Sequence, residues 1–104
     1  MSFEVEPTGY EKTVLSELQG AWQNLRDEVT EQAGFPDWQR ALFHIEEAIS
    51  WESVRNLQYM RKSLVLVRNL LGQDGVPVTV KECLDVVNDM MTETLHALNE
   101  GEIN

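Results

Sequence analysis

Only three prolines occur in the chain, at positions 7, 36 and 77. Proline removes a backbone donor and clashes with the preceding turn, so helices and strands end at or near it. Gly34 stands beside Pro36, and Gly72 and Gly75 stand beside Pro77. Two long stretches are left between these breaks. In both, apolar residues recur every three or four positions, the period of a helix rather than of a strand. The chain therefore reads as all-α, and as one domain covering residues 1–104, with 1–7 as a flexible N-terminal tail.

The first helix is expected over residues 9–33. Thr8 and Glu11 have the spacing of a capping box. Leu15, Leu18, Trp22, Leu25 and Val29 follow at alternating steps of three and four, which makes a narrow heptad seam. Gly34 can take the left-handed conformation after the helix, and Pro36 stops its continuation.

The second helical stretch covers residues 36–71, with Pro36 and Asp37 expected in its first turn. Trp38, Leu42, Ile45 and Ile49 form one seam, and Leu57, Met60, Leu64, Val67 and Leu71 form another. Joining them takes successive steps of four through Ser53, a stutter in the heptad pattern. With no Gly or Pro there, one continuous helix of about 54 Å is favoured. The alternative is a bend or break near Ser50, with Ser50 capping a new helix. The first case gives three long antiparallel helices with surplus apolar surface that a homodimer would bury; the second gives a four-helix bundle. Residues 63–67, Ser-Leu-Val-Leu-Val, read as helix buried on several sides.

The last helix is expected to start with a second capping box, Thr79 and Glu82, stapled by Val78 and Cys83, and to end near residue 99. Val80, Leu84, Val87, Met91 and Leu98 form its inner face.

Eighteen acids against eight bases give a net charge of −10. That balance argues against direct binding to nucleic acid or to anionic lipid. No apolar run is long enough for a membrane span, and residues 1–6 do not read as a secretory signal. The single cysteine, Cys83, excludes an internal disulfide and fits the cytoplasm. Residues 1–34 and 73–104 are strongly acidic, while 35–72 carry a slight positive excess. Arg55, Arg61, Lys62 and Arg68 are expected to pair with acids of neighbouring helices.

Glu82, Asp85, Asp89, Glu93 and Glu100 share one band of the last helix, opposite its apolar face. The band is a solvated face or a docking strip for a basic partner, and nucleic-acid mimicry by its carboxylates is a further reading. Glu93 with His96, and His44 with Glu47, have a spacing used by metal ligands in helix bundles. Both read as surface pairs, because Glu93 and His96 lie on a polar face. Glu82 and Asp85 form half of a magnesium-binding acid pattern whose other half is missing. Cys83 reads as a core residue. No phosphate loop, nucleophile elbow or zinc spacing occurs.

The leading expectation is a non-catalytic protein-binding regulator without a cofactor. It would sequester or inhibit a partner protein such as a transcription factor, toxin or nuclease through an apolar helix surface, with flanking acidic strips that steer a basic target. The expected contact residues are Trp51, Arg55, Tyr59, Lys62 and Leu66, followed by Asp85, Asp89 and Glu93. The competing classes are a small metal- or nucleotide-dependent enzyme using Glu82, Asp85, Glu93 and His96, and a structural assembly subunit.

Overall fold

A computed structural model describes the backbone of residues 9–50 and 57–99, and the side chains of 15–50 and 57–96. Within these residues the chain forms four helices and no strand. They are α1 (Gly9–Glu31), α2 (Trp38–Ser50), α3 (Leu57–Leu71) and α4 (Val78–Asn99). Thr8 and the side chain of Glu11, the expected cap, and the proposed contacts Trp51 and Arg55 lie outside what is described. Short connections place successive helices antiparallel, as in an up-and-down bundle. α1 packs most closely on α4, and α2 on α3; α1 also meets α2, and α3 touches α4 more sparingly.

The continuous middle helix is overturned. α2 ends at Ser50 and α3 begins at Leu57. Ala41, Ile45 and Ala48 of α2 are buried in the same core as Leu57, Met60, Leu64, Val67 and Leu71 of α3. A straight rod would carry its second half away from the first and expose one of these faces. α2 and α3 pack against each other instead. The hydroxyl of Ser50 donates to the carbonyl of Glu47 at 2.6 Å, in the last turn of α2; a helix capped by Ser50 would lie outside the described residues.

The seam of α1 enters the core as its spacing predicts. Leu18, Trp22, Leu25 and Val29 are buried, and Leu15 packs against them. In α4, Val80, Leu84, Val87 and Met91 do the same. Residues 63–67 are helical, but the expectation of burial on several sides fails. Ser63, Leu64 and Val67 are buried while Val65 and Leu66 face outward.

The start of α4 also differs. The carbonyl of Pro77 accepts from the amides of Val80 and Lys81 at 3.1 and 3.2 Å, so Thr79 lies inside the first turn rather than capping it. Val78 is 67% exposed and staples nothing. Val76, just before the proline, is the buried residue there.

Pro36 and Asp37 likewise precede α2 instead of opening it. The carbonyl of Asp37 accepts the amide of Ala41 at 3.0 Å. Asp37 has φ 61°, in the left-handed region where Asp and Asn are the usual non-glycine occupants. The two connectors on this end of the bundle touch. Gln73 Nε2 donates to Asp37 Oδ2 at 2.9 Å and to the carbonyl of Leu70 at 2.8 Å. Gly75 sits against the ring of Pro36, with φ 90°.

Candidate protein-docking surfaces

α3 is built differently from its neighbours. It carries three basic residues, Arg61, Lys62 and Arg68, and no acid. Tyr59 and Leu66, seven residues apart, share one exposed face, at 52% and 44% exposure. Lys62 lies between them, its Nζ 5.6 Å from the centre of the Tyr59 ring, within cation–π range. The structure thus brings together three of the five residues expected to contact a partner.

A second surface lies on the other side of α3, where it diverges from α4. Arg61, Val65 and Arg68 form one wall of a groove of about 430 Å³. Asn88, Thr92 and His96 stand on the α4 side, and Leu64 and Met91 line the floor. The arginine wall is about 150° round the helix from the Tyr59–Leu66 face. The expected pairing of α3 cations with acids of neighbouring helices is not found. Arg61, Lys62 and Arg68 have no acidic partner among the described residues; the ion pairs there join Arg26 to Asp27, Arg40 to Asp37 and His44 to Glu47.

Asp85, Asp89 and Glu93 are exposed on the outward crest of α4. Four acids on this helix, with Glu82, face a single base, Lys81. The crest borders the groove and does not join the Tyr59–Leu66 face, so the two expected contact sets belong to separate surfaces. The groove itself was not anticipated. Its signal in the sequence is the seven-residue spacing of Arg61 and Arg68, which places both on one side of a helix free of acids.

The pairs considered as metal ligands are arranged otherwise. His44 Nδ1 lies 3.1 Å from Glu47 Oε1, and the same oxygen accepts from the hydroxyl of Ser63 at 3.2 Å. This cluster lies half-buried on the seam between α2 and α3, not on the surface as expected, and the His44 ring meets that of Phe43 in a T-shaped contact. Glu93 and His96 are both exposed on α4. No group of three or more His, Cys, Asp or Glu side chains converges on a metal-sized site among the described residues.

Cys83 packs half-buried against the core. Burial pushes its thiol above the ordinary range, and the carboxylates of Glu28 and Glu82 push it the same way. A thiol so placed is a poor nucleophile, because the thiolate is the reactive form. No helix in the described residues is long and apolar enough to cross a membrane. Comparison with protein-family models, with curated proteins and with solved structures finds no match.

Proposed function

We propose that this chain is a non-catalytic, cofactor-free protein-binding regulator that acts as a dimer in the cytoplasm and holds or inhibits a partner protein. The observation that carries the reading is the outer face of α3. Tyr59 and Leu66 are large apolar side chains in solvent, on a helix whose only charges are positive. A helix of this kind offers apolar anchors for affinity and cations for orientation. The fitting partner segment is apolar with acidic flanks. The remaining negative charge of the chain keeps it soluble and repels acidic proteins that lack the apolar match.

The test compares the unmodified chain with a Tyr59→Ser/Leu66→Ser variant as bait in an extract of the native host. A protein retained by the first and lost by the second is the expected result, with the fold checked by circular dichroism. Equal retention by both baits would remove the α3 face from the function. Calorimetric titration with magnesium, manganese and zinc addresses the enzymatic class: stoichiometric uptake would overturn the non-catalytic reading.

A further inference from the structure

We propose that the groove between α3 and α4 seats the acidic crest of α4 from a second copy of this chain, forming a two-fold dimer. The inference rests on the dimeric part of the reading above and assigns its surface.

The argument begins with the two arginines. Arg61 and Arg68 stand on one wall, seven residues or about 10.5 Å apart along the helix. Neither has an acidic partner among the described residues, and Leu64 and Met91 lie between the walls. A guanidinium beside apolar surface gains most from a carboxylate that also excludes water. The occupant is therefore a ridge bearing carboxylates at comparable intervals.

The same chain carries such a ridge. Asp85, Asp89 and Glu93 recur every four residues, about 6 Å, and span about 12 Å in all. Their repeat lets each arginine meet an acid whether the incoming helix runs up or down the groove. Within one copy no ion pair joins the crest to these arginines among the described residues. Between copies the match is reciprocal. Each groove receives the other's crest, which is the condition for a closed two-fold interface.

Charge also selects the second copy over a generic acidic helix. α3 and α4 are adjacent and opposite in sign, +3 and −3 from their own residues. One contact surface therefore holds both halves of its complement. Val65, 48% exposed, and half-buried Leu95 supply apolar area at the same place. Tyr59 and Leu66 lie on the far side of α3, outside this interface.

The experiment is sedimentation velocity over a concentration series, on the full chain and two charge-reversed variants. One is Arg61→Glu/Arg68→Glu and the other is Asp89→Lys/Glu93→Lys. Each reversal sets like charges against each other across both halves of the interface, and dimerisation should weaken by about tenfold or more. Mixed in equal amounts, the two variants regain opposite charges on both halves, and a heterodimer should form.

Weakening of each variant with recovery in the mixture is the result expected. A wild-type chain that stays monomeric throughout overturns both the inference and the dimeric reading. A dimer unaffected by either reversal overturns the groove assignment alone. Weakening without recovery overturns the arginine–carboxylate pairing. Should a variant lose its helical circular dichroism signal, the unmodified chain decides by salt: the dimer must weaken as salt rises, and a salt-indifferent dimer overturns the proposal.

Discussion

The hydroxyl of Ser63 donates to Glu47 Oε1 across 3.2 Å, linking α3 to a residue sixteen places earlier in α2. Ser63 is 4% exposed, so this bond is what allows a hydroxyl on the inner face of α3. Glu47 keeps His44 as a second partner. Ser63→Ala is therefore expected to cost about 1 kcal/mol, the worth of an ordinary buried hydrogen bond. Glu47→Leu strands the serine and should cost more. Urea denaturation of the two variants measures the order.

The clasp between the two connectors makes a separate prediction. Asp37→Ala loses the bond from Gln73 and places alanine at φ 61°, whereas Asp37→Asn keeps an acceptor and a residue that tolerates that conformation. The alanine variant should be the less stable by about 1–2 kcal/mol. Gly75→Ala should destabilise as well, since its φ is 90° and the new methyl would stand 3.4 Å from the ring of Pro36. Thermal denaturation of the three variants checks these expectations.

Trp22 is fully buried, and its indole Nε1 has no acceptor among the described residues. An orphan donor offsets part of what the ring contributes by burial. Trp22→Ala should cost about 3–5 kcal/mol, the usual range for an emptied aromatic site. Trp22→Phe should cost only a fraction of that, because it removes the orphan along with part of the volume. Equal losses for Ala and Phe, read from denaturant midpoints, would mean that the indole is well satisfied.

Cys83 couples stability to alkaline pH. Its thiol holds the proton more tightly in the folded chain than in the unfolded one. The resulting stabilisation is complete below the unfolded pKa and is lost as pH rises through the folded value. Wild type should therefore lose stability relative to Cys83→Ala on going from neutral to strongly alkaline pH. In parallel, alkylation of Cys83 at neutral pH should be slower in the folded chain than in denaturant.

Much of the fold is legible in the sequence, for a local reason. Leu18, Trp22, Leu25 and Val29 announce the buried face of α1 by spacing alone, and Val80, Leu84, Val87 and Met91 do so for α4. The separation of α2 from α3 is less legible, and in the sequence it stands only as the alternative to a continuous helix. No Gly or Pro lies there, and the outcome depends on two apolar faces, thirteen and fifteen residues long, sharing one core. That is a tertiary demand which no local window expresses. The capping box at Thr79 misled in a related way, since burial of Val76 set the start of α4 two residues upstream. Of the candidate surfaces, Tyr59, Lys62 and Leu66 could be grouped from their spacing. The spacing of Arg61 and Arg68 places both on one side of α3, but the groove itself needs α4 beside it.

The close packing of α1 on α4 has a kinetic meaning. Contacts within the α2–α3 pair close a short length of chain, whereas those between α1 and α4 close nearly all of it. Loop closure grows more costly in entropy with length, though slowly. The first and last helices should thus zip together late, around a hairpin already in place. Substitutions in their shared seam would then speed unfolding more than they slow folding.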